Sequence, residues 1–208
     1  MGQVAADRRC EALGRAQLME AAGALMTERG GIDVSIHDIA RRSGMSSALI
    51  KYHFGHKDGL LLALLEKIVG NSITRLQALV QRDLPPREKL RLHILGVLNI
   101  YYRYPYLNRL MHYLLSSSED AQRSISRSII QPMIAAQTQI LDEGLRAGVF
   151  RKINPMSFYF HVIGASDHLF YGLYAMRFAF GIEEIGEELK ESYGEDLVET
   201  LLNGISAR

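Results

Sequence analysis

The chain has 208 residues, of which 48% are hydrophobic and 23% charged, and its formal net charge is +1. This length and apolar content suit one or two globular domains with a real core, while a single cysteine, Cys10, excludes an internal disulfide. The N-terminus has no apolar signal-peptide core, and polar residues interrupt the longest apolar stretch, 156–182. We therefore expect no membrane span and a cytoplasmic location.

A first helix is predicted from about Arg9 to Arg29, because apolar residues recur at helical spacing along it. Gly30-Gly31 ends this helix. Its inner face is expected to contain Leu18, Ala22, Leu25 and Met26.

The second helix carries start and stop signals of its own. Ser35 is a suitable N-cap, and Asp38 stands three residues later, where a capping box places its acid. Val34 and Ile39 occupy the two positions of a hydrophobic staple. Gly44 is the natural residue to end the helix, because it adopts positive φ without a Cβ clash.

A third short helix follows that glycine turn. Ser46 or Ser47 is expected to cap it, Met45 to fill the space between the helices, and Ile50 and Phe54 to face inward. Two short helices joined by a tight glycine turn present the second helix to the major groove of DNA. The residues left for its outer surface are Ser47, Ala48, Leu49, Lys51, Tyr52 and His53.

The stretch from Arg15 to Ile68 resembles the DNA-binding domain of the TetR family of bacterial transcriptional regulators. The residues that match the family pattern are Ile39-Ala40, Gly44-Met45-Ser46, Ile50, Tyr52-His53-Phe54, Lys57 and Leu60. Four residues depart from that pattern. Lys51 stands where tyrosine is common and Leu49 where threonine is frequent. His56 replaces a small capping residue, and Gly59 an acid.

Mapped onto this unit, the expected contacts with double-stranded DNA divide into two sets. Tyr52, His53 and Lys57 would bind mainly phosphates. Base edges would face Ser47, Ala48, Leu49 and Lys51, with Leu49 meeting a thymine methyl and Lys51 guanine acceptors. The full predicted DNA-binding set is Ser35, His37, Ser46, Ser47, Ala48, Leu49, Lys51, Tyr52, His53 and Lys57.

The net charge of the N-terminal part is close to zero, so support for DNA binding comes from the positions of individual cations. Through Ile68 there are nine basic and eight acidic residues, and the remainder of the chain balances. Phosphate binding depends on local positive potential more than on a basic total. The cations grouped around the turn motif are Arg8, Arg9, Arg15, Arg41, Arg42, Lys51 and Lys57. The alternative is that each is simply a solvated charge on a helix surface.

A fourth helix opens near Lys57, and its end is left open, with Val80 as the furthest limit. Pro85-Pro86 is the clearest break in the chain. We predict two domains, a helix-turn-helix DNA-binding domain over 1–68 and a helical ligand-binding and dimerisation domain over 69–208. The later helices are expected at 87–103, 106–116, 120–147 with Pro132 as a candidate kink, 155–180 and 195–205. The acidic segment 183–191 is expected to be a solvated connection or a short helix.

The second domain holds most of the aromatic residues, for which two interpretations compete. They fill the core and a dimer interface, or they surround an apolar cavity for a small molecule. The resemblance implies such a pocket. Its candidate lining residues are Tyr102, Tyr106, Met111, Tyr113, Met133, Gln137, Phe160, His168 and Tyr171.

A metal or catalytic cluster is the less favoured interpretation of His112, His161, Asp167 and His168, because no metal-ligand spacing or nucleophile–base pair accompanies them. We expect no cofactor and no metal. Histidines bonded within an interface or pocket are favoured instead.

The resemblance implies an all-α homodimer that pairs through its last two long helices, 155–180 and 195–205, and binds a palindromic operator. It suggests repression relieved by a small-molecule effector, with activation left open. The rival hypothesis is a helical small-molecule-binding protein or enzyme without DNA binding.

Overall fold

The structure is a computed structural model that describes residues 2–207, with side chains from residue 11 onward. The side chains of Arg8, Arg9 and Cys10 lie outside the described residues. The described chain is helical, as predicted, apart from an isolated bridge between Phe150 and Ser206. Its helices are α1 (Gly2–Arg29), α2 (Ile36–Ser43), α3 (Ser47–Phe54), α4 (Lys57–Val80), α5 (Pro86–Arg103), α6 (Leu107–Ser117), α7 (Glu119–Ile125), α8 (Gln131–Arg146), α9 (Pro155–Tyr171), α10 (Leu173–Phe180) and α11 (Glu187–Ile205).

The α2–α3 unit forms as its sequence signals predict. The Ser35 hydroxyl accepts a hydrogen bond from the Asp38 N–H at 3.0 Å, and the Asp38 carboxylate accepts from the Ser35 N–H at 3.3 Å. Gly44 follows α2 with φ +68°, the left-handed conformation that glycine adopts without strain. Val34, Ile39 and Ile50 are fully buried against α1 and α4.

The start of α4 is more specialised than its sequence suggests. His56 is a true N-cap, because its Nδ1 accepts from the Gly59 N–H at 3.2 Å. Gly59 is a steric requirement, since a Cβ there would lie 2.1 Å from the backbone oxygen of Phe54 at the end of α3. The glycine therefore allows α3 and α4 to approach closely and sets the angle between them.

Helix α4 runs unbroken from Lys57 to Val80 and so crosses the predicted domain boundary after Ile68. Near its end, the buried Lys89 of α5 donates from Nζ to the Val80 carbonyl at 2.7 Å and to Glu143 of α8 at 2.8 Å. Helix α4 therefore packs both against α1 and α3 of the N-terminal unit and against α5, α6 and α8 of the C-terminal part.

The C-terminal half differs from the sequence prediction in three places. A π-helical turn at Ser126–Ile130 precedes Pro132, which has no N–H to donate to the carbonyl four residues earlier. Gly172, where a Cβ would lie 2.8 Å from the His168 carbonyl, divides the expected 155–180 helix into α9 and α10. The acidic segment 183–191, expected as a connection or a short separate helix, is helical from Glu187 onward and joins the predicted last helix to form α11, with Glu187 and Glu188 in a first turn that favours negative charge.

Among the described residues, none of the helices combines the length and the apolar character that crossing a membrane requires.

Candidate nucleic-acid interface and buried cavity

Helix α3 presents a small polar surface to solvent. Ser47, Ala48, Lys51 and Tyr52 are exposed, and Tyr52 retains 73% of its accessible surface. Ser46 occupies the N-cap position, but its side chain makes no capping hydrogen bond, so its hydroxyl remains available. Ala48 and Tyr52, two positions on either side of the buried Ile50, face away from it, and the other three residues lie at the start or along the edge of the same short helix. This is the geometry of a helix that enters a groove.

Two residues expected on this outer surface lie on its inner edge instead. Leu49 is half-buried and packs against the core, and His53, one turn later on the same side, is also half-buried. The His53 Nδ1 is buried, while its Nε2 faces Gly14 of α1 at close range. The reason is helical geometry, because both positions adjoin the inward stripe of Ile50 and Phe54.

The remaining predicted contacts flank α3. His37 is exposed on α2, and Lys57 is half-buried at the start of α4. Ser35 is exposed too, but its hydroxyl is already committed, since it also donates to Asp38 at 2.8 Å. The structure therefore brings His37, Lys57 and the outer face of α3 to one end of the molecule.

The two arginines of α2 belong mainly to the scaffold. Arg42 forms a bidentate pair with Glu28 of α1 at 2.6 and 3.0 Å. Arg41 and Arg29 both bind Asp38, and the hydrogen bonds from Arg29 and Ser35 hold the pKa of that carboxyl well below its usual range. Among the described residues near α3, Lys51 and Lys57 form no ion pair, so they supply the positive potential at the exposed end.

A second candidate site is a cavity of about 720 Å³ enclosed by α4, α5, α6, α8, α9 and the π-helical turn. This size lies within the range typical of small-molecule pockets. Its wall is largely aliphatic and aromatic, and it includes three of the nine predicted ligand-binding residues, Met111, Met133 and Phe160.

Three other predicted ligand-binding residues lie outside the cavity wall because they hold helices together. The Tyr113 hydroxyl donates to Asp58 at the start of α4 at 2.8 Å. Tyr106 is buried with its hydroxyl against α1, where a Cβ on Gly23 would lie 2.9 Å from it. Gln137 is fully buried behind the wall and bonded to His93.

The last three predicted residues, Tyr102, His168 and Tyr171, also lie off the wall. Lys190 of α11 sits over the Tyr102 ring at 4.8 Å from its centroid. His168 and Tyr171 are exposed on α9. The aromatic and methionine content that suggested these residues is shared by core, cavity and surface, so composition could not separate the three environments.

The cavity wall includes polar residues outside the predicted ligand-binding set, and two of them, His112 and Asp167, belong to the histidine cluster considered in the sequence analysis. His93 is fully buried on α5, with its Nε2 2.8 Å from the Gln137 amide nitrogen, and burial lowers the pKa of His93 to about 4. Asp167 of α9 accepts hydrogen bonds from Asn108 and lies 3.2 Å from the His112 Nε2. The signal for His93 in the sequence is polarity at a position where the surrounding helix is apolar.

The described residues contain no group of three or more His, Cys, Asp or Glu side chains that could hold a metal ion. His161 and His168 are exposed on α9, and only His112 pairs with Asp167.

Both halves of the chain match models of known protein families. Residues 18–64 match the family model described as bacterial regulatory proteins, tetR family, and residues 83–208 match the model described as tetracyclin repressor-like, C-terminal domain. The HTH-type transcriptional regulator BetI of Brucella anthropi is 36% identical over 80 residues, which are 38% of this chain and 41% of that protein. The chain thus spans about two fifths of the curated relatives that it matches.

Solved structures share the fold over nearly the whole length. A TetR/AcrR-family regulator from Thermobifida fusca has a TM-score of 0.72 at 21% identity, covering 91% of this chain and 97% of its own. FadR from Bacillus subtilis, solved with stearoyl-CoA, has a TM-score of 0.72 at 19% identity, covering 91% of this chain and 98% of its own.

The C-terminal match covers more than half of the chain, and the N-terminal match coincides with the α2–α3 unit. The chain belongs to the TetR family of bacterial regulatory proteins, with that family's helix-turn-helix domain preceding a helical domain that encloses a cavity.

Proposed function

We propose that this protein is a ligand-responsive transcriptional regulator. It binds a palindromic DNA operator as a homodimer in the cytoplasm and releases it when a small molecule enters the cavity. It acts as a repressor and catalyses no reaction. The observation that carries this proposal is that one helix, α4, both packs against α3 and lines the apolar cavity. The exposed surface of α3 contains no acidic residue and is called the reading face below; it consists of Ser46, Ser47, Ala48, Lys51 and Tyr52.

The reading face supports DNA binding through its donors. Lys51 and Tyr52 point to solvent beside Ser46 and Ser47, so cationic and hydroxyl groups converge where phosphates and base edges would lie. Lys57 adds a second cation at the start of α4. His53 and Leu49, both half-buried, support the position of α3 from its inner side.

The route from the cavity to the reading face runs through α4 and α6. Helix α4 supplies Ile73 and Leu76 to the cavity wall and starts beside α3. Helix α6 supplies Met111 to the same wall, and from its other side Tyr113 binds Asp58 while Arg109 donates to the Gly30 carbonyl at the end of α1. A ligand that displaces either helix therefore changes the orientation of α3, provided that it binds one arrangement more tightly than the other.

An exposed apolar surface supports the homodimer. It is formed by large side chains of α9 and α10, and a patch of this kind on a water-soluble domain marks an interaction site. Its members are Met156, Phe160, Tyr171, Leu173, Tyr174, Phe178 and Phe180. By contrast, the apolar residues of α11 are buried in their own chain and its exposed face carries Glu187, Glu188, Glu191, Glu195, Asp196 and Glu199. We therefore assign the main pairing surface to α9 and α10, with α11 at its edge.

Dimeric pairing would hold two α3 helices about 34–36 Å apart, one turn of DNA, over the half-sites of an inverted repeat.

Selection from random duplexes tests the proposal. The expected product is an inverted repeat with half-site centres about one helical turn apart. Lys51→Ala is expected to relax the preference at one position of each half-site, and Lys57→Ala to weaken binding to every sequence. Lys67→Ala is the matched control, because Lys67 is exposed on the same helix as Lys57 but ten residues further on, about 15 Å away.

Failure to enrich any duplex, together with affinity that does not depend on salt, would reject DNA binding and favour the rival of a helical small-molecule-binding protein or enzyme.

A further inference from the structure

The cavity has a polar rim whose charged side chains on α4 and α5 are both positive. Most of the wall is apolar and buried or half-buried, whereas the exposed wall residues on α4 and α5 are polar or glycine. Asn71 and Arg75 lie one turn apart on α4, and Asn99 and Arg103 lie one turn apart on the neighbouring α5. The rim of the cavity therefore holds two guanidinium groups and two amides.

Neither arginine has an acidic partner among the described residues. Arg75 donates to the Ser72 hydroxyl at 2.8 Å, and the Arg103 guanidinium lies 5.8 Å from the centroid of the Tyr104 ring. Other surface arginines of the protein form ion pairs, as Arg42 does with Glu28 and Arg91 with Glu195. Arg75 and Arg103 thus retain free N–H donors beside an apolar cavity.

The one acidic residue of the wall is already satisfied. Both carboxylate oxygens of Asp167 are engaged, Oδ1 by the Asn108 amide and Oδ2 by the His112 ring. The Tyr101 hydroxyl lies beside the same carboxylate, and burial followed by that negative charge raises its pKa. A cationic ligand would have to displace these donors and would meet two arginines at the rim, so the wall favours a negative group.

We propose that the effector is an amphipathic anion. Its apolar body fills the space between α4, α5, α6 and α9, and its carboxylate or phosphate group binds one of the two rim arginines, Arg75 or Arg103. Guanidinium groups suit this role because they offer planar pairs of donors to carboxylate and phosphate oxygens. This inference rests on the proposed function, since it names the chemical class of ligand for the same cavity.

Calorimetric titration of the full-length protein without DNA tests the proposal. The probes share a decyl chain and differ in the head group: decanoate, decyl phosphate, decan-1-ol and decyltrimethylammonium. The expected result is that at least one anion binds tenfold or more tightly than the alcohol and the cation. The two anionic probes separate a free carboxylate from a phosphate ester as the preferred head group.

The double variant Arg75→Gln/Arg103→Gln isolates the rim. It is expected to lose the preference for the anion by tenfold or more and to bind decan-1-ol as the wild type does. Arg82→Gln is the control, because Arg82 is exposed just beyond α4 and does not line the cavity. Equal affinity for all four head groups, an unchanged preference in the double variant, or no binding of any probe would overturn the proposal. Each of these results leaves the duplex selection unaffected, so a failure here is distinguishable from a failure of the proposed DNA-binding function.

Discussion

The close approach of α3 to α4 makes Gly59→Ala the most informative single change. The added Cβ would lie 2.1 Å from the Phe54 carbonyl oxygen, and contacts below 3.0 Å are essentially never seen for a real Cβ, so the end of α3 must move by about 1 Å. The obstacle is backbone, which cannot rotate away as a flexible side chain would. Overfilling a packed site costs about 1–3 kcal/mol.

An opposing effect must be subtracted from that cost. Replacing glycine by alanine in a helix is favourable by up to about 1 kcal/mol, because the unfolded chain loses flexibility. We therefore expect Gly59→Ala to lower the free energy of unfolding by about 1–2 kcal/mol, which corresponds to a fall of several degrees in Tm for a chain of this size. Chemical and thermal unfolding at fixed protein concentration measure both quantities.

Gly70→Ala provides the matched control within the same helix. No atom lies within 4 Å of its added Cβ, so only the favourable helix effect remains and the variant should be as stable as the wild type or more so. If Gly59→Ala were equally stable, the reasoning that α3 and α4 meet at this glycine would be refuted.

Three further predictions concern the buried polar groups and the apolar surface. The pKa of His93 is lowered from 6.5 to about 4, so the unfolded chain binds more protons between these values and stability falls as the pH drops through this window. Between pH 7 and pH 5 the free energy of unfolding should fall by about 2 kcal/mol because of His93. Measured by urea unfolding, the free energy of His93→Gln should fall by that much less over the same range. Parallel pH curves for the variant and the wild type would contradict the lowered pKa of His93. Lys89→Met leaves Glu143 without its cation and should cost about 1–3 kcal/mol, less than for a fully buried pair because Glu143 is partly exposed. Adding Glu143→Gln should recover part of this cost, and strictly additive losses in a double-mutant cycle would exclude coupling between the two residues. Phe178, 84% exposed on α10, is expected to anchor the dimer, so Phe178→Ser should weaken dimerisation, measured by sedimentation, about tenfold or more. Tyr52, an aromatic residue that is 73% exposed on α3, provides the control, and Tyr52→Ser should leave dimerisation unchanged.

The helix-turn-helix could be predicted from sequence because its signals are local. The cap at Ser35, the capping acid at Asp38 and the positive-φ glycine at Gly44 each act within a few residues, and the structure contains all three. The end of α1 at Arg29 and the start of α4 near Lys57 likewise follow from periodic apolar residues and from the break at Gly30, whereas α1 begins at Gly2, earlier than the predicted Arg9. The family resemblance rests on the same local pattern.

Local signals were ambiguous where two elements meet. His56 and Gly59 depart from the family pattern, yet in the structure the histidine caps α4 and the glycine admits the Phe54 carbonyl. Leu49 and His53 were expected outside, but both are half-buried because they adjoin the inward stripe of Ile50 and Phe54. A one-position difference around a helix rotates a side chain by about 100°, which periodicity over eight residues resolves poorly.

The sequence by itself determined an all-helical chain with a DNA-reading motif near its N-terminus, because caps, turns and helical periodicity are properties of neighbouring residues. Only the tertiary structure decided which tyrosines and methionines surround the cavity, which hold helices together and which face solvent. Met111, Tyr113 and Tyr171 look alike in composition, yet one lines the cavity, one binds Asp58 and one lies on the exposed α9 surface. Their environments depend on contacts between helices that are distant along the chain, and no local pattern records those contacts.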